Sequence, residues 1–373
     1  MKTVKFSDVV TRANTKEDRF NTDKIYYVGG EHIDSNEMKI EKRGIIAGST
    51  IGPMFYCGFK SGDILFVTRN PHLRKCGVVD FDGICSEKTF VLETKNRDVL
   101  LQEYLAIVMQ SDDFWNYCEE NKSGGVNYFL NWSTLAEYEF YLPSLAEQKV
   151  LAEKLWAAYE VKQSYLKMIS ATEEMVKAQF GEMFGSYEKR VKIGDHCSVS
   201  SGKSIPTKLE DIKGNIAYVK VADFNLPGND NYIYNSQRYV AEESAKYSKM
   251  IPTGSVIFAK NGAASLSNKK RLTKIDCCID MNTLAVKSIS NDLRDEFLFA
   301  VLQSLDISEY VRQGAIPSIS PKSIENCQIP YPTLDEQDKY ISIAEQADKS
   351  ISELRKSVDA IDKVIKSLIN ENL

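Results

Sequence analysis

LPSLAEQ occupies Leu142 to Gln148, and YPTLDEQ occupies Tyr331 to Gln337, 189 positions later. Each reads as a helix start. Pro precedes it, Ser144 or Thr333 can cap, and Glu147 or Glu336 sits three residues on, the spacing of a capping box. Extending the alignment outward shows that the phrase belongs to a much larger repeat. SGGVNYFLNWSTLAEYEFYLPSLAEQ lies over RQGAIPSISPKSIENCQIPYPTLDEQ without a gap, pairing Gly125 with Gly314, Leu130 with Ile319 and Pro143 with Pro332. Upstream, SGDILFVTRN (Ser61 to Asn70) resembles TGSVIFAKNG (Thr253 to Gly262), and VKFSDVV at Val4 resembles VKIGDHC at Val191. The offset drifts upward from 187 and returns to 189, as loop insertions and deletions inside a shared fold would make it do.

A period this long is far from the 20–50 residues of a solenoid. It signals two copies of a whole domain plus a connector. Each copy of about 145 residues reads as short strands and turns followed by a helix, LLQEYLAIVMQSDDFWNYCEE or LRDEFLFAVLQSLDISEYV. A Gly loop and a last strand ending at Pro follow. The class is α+β.

After each EQ comes a long helical pattern. Ala344, Ala347, Ile351, Leu354, Val358, Ile361, Ile365 and Leu368 follow an unbroken 3-4 spacing, a heptad seam. The first copy has Leu155, Ala158, Lys162, Tyr165, Ile169, Thr172, Val176 and Gln179 in the same register, weakened by Lys162. Helices of about 35 residues are about 50 Å long, against about 30 Å for each domain, so they outreach their own globules. Pairing with each other in antiparallel fashion is the simplest solution: Leu354, Val358, Ile361 and Ile365 are expected opposite Leu155, Tyr165, Ile169 and Val176. The expected whole is a rod with a globule toward each end, related by a pseudo-twofold axis.

The formal net charge of −5 counts mildly against a free-standing nucleic-acid binder, yet basic residues concentrate locally. KNGAASLSNKKRLTK (Lys260 to Lys274) holds five basic residues and no acid, including Lys260, Lys269, Lys270 and Arg271, with Asn261 beside them. RNPHLRK in the first copy supplies Arg69, Asn70, His72, Arg74 and Lys75. Both segments follow the matched apolar strand and so emerge from the same place in the fold. Such residues suit phosphate contact and base-edge readout. Lys203, in SSGKSIP, is a weaker candidate, because the spacing of a P-loop is absent. The repeated Gly loops, NKSGGVNYF and VRQGAIPS, suit either close backbone approach or a plain turn.

The chain lacks a Gly-rich dinucleotide or S-adenosylmethionine loop, a D-P-P-Y-like motif, a Walker pair and H-E-x-x-H, and three histidines leave little room for a catalytic triad. No catalytic or metal-binding residue is therefore expected. Eight scattered cysteines without a C-x-x-C pair point to reduced, mostly buried thiols and a cytoplasmic setting.

The two P-x-L-x-E-Q phrases with their heptad helices, the FVTRN and FAKNG segments, and GAIPSISPKSIENCQIPYP together resemble the specificity (S) subunit of type I restriction–modification enzymes. The resemblance covers essentially the whole chain: target-recognition domain 1–143, spacer helix 144–186, target-recognition domain 187–332, second helix 333–373. Domain one departs at VNYFLNWSTL, where domain two has IPSISPKSI. The resemblance implies a non-catalytic subunit whose two domains each read half of a split double-stranded DNA site. The helices would act as a ruler and as a platform for two methyltransferase (M) subunits carrying S-adenosylmethionine. A motor-endonuclease (R) subunit using ATP and Mg could join, and this chain would bind no cofactor and bind DNA weakly when isolated. A coiled-coil protein scaffold explains the repeat but not the matched basic loops. A specificity subunit of a methylation-only or type II-like assembly differs only in partners. If the helices set the gap, removing about one helical turn from the first spacer shortens the preferred distance between methylated half-sites. An unchanged gap, mapped by single-molecule sequencing, would rule the ruler out.

Overall fold

The computed structural model describes residues 2–210, 214–312 and 314–372. The chain divides into two units, Met1–Met168 with Leu354–Leu373, and Ile169–Glu353.

In the first unit, the opening strand Lys2–Lys5 pairs antiparallel with Glu139–Leu142, so the start of the domain is zipped to the strand just before Pro143. Between them lies a five-stranded sheet, ordered Val10–Arg12, Thr89–Thr94, Ile64–Val67, Cys76–Val79, Lys39–Ile40. A four-stranded sheet is ordered Gly44–Ile45, Tyr26–Val28, Gly83–Ser86, Phe55–Phe59. The apolar run at Ile64–Val67 is buried at every position because its strand is covered on both faces. Ile64 and Phe66 pack on the helical side with Tyr104, Leu105, Phe114 and Trp115. Leu65 and Val67 face the other way, toward Val28, Cys85 and Val91.

The second unit repeats this topology strand for strand. Arg190–Lys192 pairs with Gln328–Pro330. The five-stranded order is Cys197–Ser201, Thr283–Ser288, Val256–Ala259, Lys270–Thr273, Tyr232–Ile233. The four-stranded order is Tyr239–Val240, Ile216–Val219, Cys277–Ile279, Lys249–Ile251. Val256 and Phe258 face the helix Asp295–Ser304, while Ile257 faces Val219, Cys277 and Ile279.

The helix expected over LLQEYLAIVMQSDDFWNYCEE is two helices, Gln102–Val108 and Asp112–Glu120. Ser111 breaks it: its hydroxyl accepts from Phe114 N–H at 3.1 Å and starts a new N-terminus with Asp112 and Asp113 in the first turn. The pattern from LRDEFLFAVLQ likewise stops at Ser304, and Asp306 caps a short 3-10 turn over Ile307–Tyr310.

The two long helices run Leu145–Phe184 and Leu334–Asn372. Both begin with the capping box. A Glu147 carboxylate oxygen accepts from Ser144 N–H and Oγ–H at 2.8 Å each, and Glu336 does the same with Thr333 at 2.8 Å each. The next residue is fully buried in both copies. The Gln148 amide accepts from Leu101 N–H at 2.9 Å and donates to the carbonyls of Val99 (2.9 Å) and Pro143 (3.0 Å). Gln337 accepts from Arg294 N–H at 2.9 Å and donates to Asp292 (2.8 Å) and Pro332 (3.1 Å). Each amide thus ties the start of a long helix to the loop that opens the preceding domain helix.

The helices pair in an antiparallel sense. In the first unit Lys162 meets Asp362, and Leu155 and Tyr159 share a cluster with Ile365, Ile369, Met38 and Ile107. In the second unit the Phe180 ring lies 5.3 Å from that of Tyr340, with Phe184, Val176 and Ala344 around them. Leu155, Ile169, Val358 and Ile365 are buried, and Tyr165, Val176, Leu354 and Ile361 partly buried.

Each domain meets its own helix segment through a polar contact, with the polarity reversed between copies. In the first unit the domain supplies the acid: Glu37 accepts from Tyr159 O–H (3.0 Å), Lys162 (3.0 Å) and Gln163 (3.3 Å). In the second the helix supplies it: Asp348 accepts from Tyr232 O–H and from Asn231 at 3.3 Å. Lys162 is thus an occupied member of the seam, bonded to Glu37 and, at 2.9 Å, to Asp362.

Replacing Gln148 or Gln337 by Ala should lower unfolding stability by about 2–4 kcal/mol, because three buried backbone groups lose their partner. Glu147→Ala, at an exposed cap, should lower stability less than either glutamine replacement does. Urea denaturation of the full chain measures both.

Candidate nucleic-acid interface

The basic segments and the Gly loops are one feature in each domain. In domain one, Asn70 N–H donates to Tyr128 O and Leu130 N–H to Thr68 O, both at 2.9 Å, with Arg69 bridged to Phe129. In domain two, Gly262 N–H donates to Pro317 O and Ile319 N–H to Lys260 O, again at 2.9 Å, with Asn261 bridged to Ser318. The same short ladder therefore joins basic hairpin to Gly loop at matched positions.

Each hairpin bulges through a 3-10 turn flanked by left-handed residues. Asn70 (φ 52°) and Arg74 (φ 48°) flank Pro71–Leu73; Gly262 (φ 71°) and Asn268 (φ 54°) flank Ala263–Ser267. The left-handed conformation at Arg74 costs about 1–2 kcal/mol. Its side chain is held there by Asp112 at 2.6 Å, which helps offset that cost.

The expected site residues separate into two groups. Lys270 is buried, and Arg271 mostly so, because they begin the strand Lys270–Thr273 and are not loop residues. The Lys270 ammonium donates to Leu305 O and Asn268 Oδ1, both at 2.6 Å, and burial pulls its pKa down to about 8. The Arg271 guanidinium donates to the carbonyls of Asn229 (2.6 Å), Phe224 and Lys270 (2.9 Å each), and burial lowers its pKa too. Lys75 donates to Gly30 O at 2.6 Å. These residues, with Arg74, hold the hairpin bases.

Arg69, Asn70, His72, Lys260, Asn261 and Lys269 lie in the hairpin loops. Among the described residues, Arg69, Lys203, Lys260 and Lys269 make no ion pair. The Arg69 guanidinium lies over the Phe129 ring at 5.5 Å, and Lys269 donates to Asn225 at 2.7 Å. Asn261 donates to Asn282 Oδ1 at 3.2 Å. Lys203 is exposed on a separate loop, whose Gly202 has a packing reason: a Cβ there would lie 2.0 Å from Asp280 O. Each Gly loop ends in an exposed apolar residue, Val126 (91 % exposed) or Ile316 (69 %). Gln313 of the second loop lies outside the described residues.

Sequence reading missed Arg12, Lys88 and Trp132. Together with Arg69, Phe90 and Phe129 they line two adjoining hollows of about 440 and 310 Å³ in domain one. Arg12 lies over the Phe90 ring at 4.3 Å and makes no ion pair among the described residues. Nothing in the VTRAN stretch marks this arginine out; pairing of its strand with Thr89–Thr94 brings it there. No group of three or more potential metal-ligating side chains occurs among the described residues, nor any helix long and apolar enough to cross a membrane.

The family model of the type I restriction modification DNA specificity domain matches residues 1–164 and 187–361. The chain belongs to that family: it is a specificity subunit, the non-catalytic component whose domains recognise DNA sequence. It is similar, at 22% identity over 94% of its length and 87% of the relative's, to a protein of Methanocaldococcus jannaschii assigned as type I restriction enzyme MjaX specificity subunit. The crystal structure of a type I restriction-modification S subunit from M. genitalium shares the fold, with a TM-score of 0.62 at 15% identity, over 99% of this chain and 94% of that one. A chain from a study of complex assembly and conformational transition of the type I R-M system gives a TM-score of 0.59 at 21% identity, over 99% and 96%.

Replacing Arg69 or Lys260 by Ala should weaken DNA binding and reduce the slope of log K against log salt by about one. Lys270→Met should lower the melting temperature and leave that slope unchanged. Fluorescence anisotropy across a salt series separates the two groups.

Proposed function

We propose that domain one and domain two each read one half of a split duplex site, using the face where basic hairpin meets Gly loop. The observation that carries this reading is the matched ladder in two domains whose loop sequences have diverged. Arg69 and Arg12 in domain one, and Lys260 in domain two, supply cations without an ion-pair partner among the described residues; Asn261 and Lys269 would exchange their loop acceptors, Asn282 and Asn225, for DNA, and Lys203 adds a cation on a separate loop. Arg suits the O6/N7 edge of guanine and Asn the N6/N7 edge of adenine. Val126 and Ile316 offer exposed apolar side chains of the kind that suits a thymine methyl. Arg74, Lys75, Lys270 and Arg271 hold the hairpins in shape.

We also infer that the first long helix receives the methyltransferase subunits. Val150, Ala157, Val161, Ser164, Met168, Ala171, Met175 and Ala178 are all exposed and follow a mostly 3-4 spacing on the side not used by the buried seam. A stripe of small residues and Met suits an apolar partner helix. The methyl donor S-adenosylmethionine belongs to that partner, as ATP and Mg would to a motor subunit. On this reading the helices act as a ruler, and half-sites register at about one helical turn (~34 Å) or a multiple.

Co-purification with the cognate methyltransferase subunit, followed by genome-wide mapping of methylated adenine, tests the reading. One split motif with a fixed gap is expected, relaxed in one half by Arg69→Ala and in the other by Asn261→Ala. A stable complex with no motif would overturn it. Val161→Glu with Met168→Glu should reduce methyltransferase capture at least tenfold while leaving the melting temperature within about 2 °C.

A further inference from the structure

The sheet strands Phe55–Phe59 and Gly83–Ser86 of domain one run antiparallel with a bulge between Phe55 and Cys57, and the register from Cys57 onward sets it opposite Cys85. Opposed residues in such a pair have Cα atoms about 4.5 or 5.5 Å apart, and both values fall within the range a disulfide spans. The two side chains share one apolar cluster, with Cys85 fully buried and Cys57 only partly so. Cys57 is therefore the thiol a solute can reach, and Cys85 stands behind it. The hydrogen bond from Cys85 lowers the Cys57 pKa to about 7 against the opposing effect of burial; the cations of Arg12 and Lys16 also lower it, and the Glu87 carboxylate works against them. Cys85 is pushed up, first by that hydrogen bond and then by burial. Burial also raises Cys76, Cys118, Cys197, Cys277, Cys278 and Cys327. The equivalent opposed pair in domain two is Lys249 and Ile279, so the dithiol belongs to domain one alone.

We propose that Cys57 and Cys85 form a peroxide-reactive dithiol, an oxidation site that converts to a cross-strand disulfide. The Cys57 thiolate attacks one oxygen of hydrogen peroxide. The O–O bond breaks, hydroxide leaves and takes up a proton, and Cys57 becomes a sulfenic acid. The Cys85 sulfur then attacks the Cys57 sulfur, an S–S bond forms, and the sulfenic oxygen departs as water with the Cys85 proton. Two thiols are oxidised, one peroxide is reduced, and two waters are released. The covalent loop so closed contains the whole Arg69–Lys75 hairpin, so oxidation ties down the segment that carries the domain's basic residues.

Treatment of the full chain with hydrogen peroxide, followed by alkylation and peptide mapping, tests this. The expected product has one Cys57–Cys85 disulfide, about 2 Da lighter, with six cysteines alkylated and full reversal by dithiothreitol. Its rate of formation should rise about tenfold from pH 6 to pH 8, following the Cys57 thiolate. In Cys85→Ser a dimedone adduct should appear on Cys57, and in Cys57→Ser neither product should form. Eight alkylatable thiols after oxidation, or a disulfide between other cysteines, would overturn the proposal; the wild-type map stands even if a variant misfolds.

Discussion

The structure depends on two buried side-chain amides. Gln148 and Gln337 each spend one acceptor and two donors on backbone groups that would otherwise be buried without partners. An amide is needed because the site demands donors and an acceptor from one short side chain; a carboxylate would offer no donor. The bonds fix where each long helix starts and how it leaves its domain. A helix is stiff, so an error at its root grows along its length. The direction in which each long helix leaves its own domain therefore begins at these two residues.

Much of this was legible in the sequence, because some physical signals are local. The capping boxes at Ser144 and Thr333 need only four consecutive residues, and the helices extend from them. The runs Ile64–Val67 and Val256–Ala259 stand out as short apolar strands at matched positions. The seam of the second helix shows itself as a heptad pattern. Non-local facts were hidden. Gln148 reaches loop groups at Val99 and Leu101 almost fifty residues upstream. Lys162 reads as a flaw in a seam until Glu37, 125 positions away, is seen to be its partner.

The basic segments show the same division. Their charge is visible in the sequence, but which charges remain available for a ligand is decided by strand register. Lys270 and Arg271 look like the densest part of a basic loop. They begin a strand, and their cationic groups are used by backbone carbonyls of the surrounding fold. Arg12 looks like nothing in particular and ends over an aromatic ring beside Arg69. Positive charge in a sequence is thus a poor guide to positive charge at a surface unless strand boundaries are known.

The reversed polarity of the domain–helix contacts bears on how such a chain can change. Target domains that share one topology invite exchange between the two positions. Counting from the anchoring glutamines, Asp348 and Ile351 stand where the first helix has Tyr159 and Lys162. Glu37, carried into the second position, would lose its tyrosine and lysine donors and face a carboxylate. A workable exchange must move the helix segment along with the domain. The piece that can be moved without breaking this contact is therefore a domain together with the stretch of helix that accepts it.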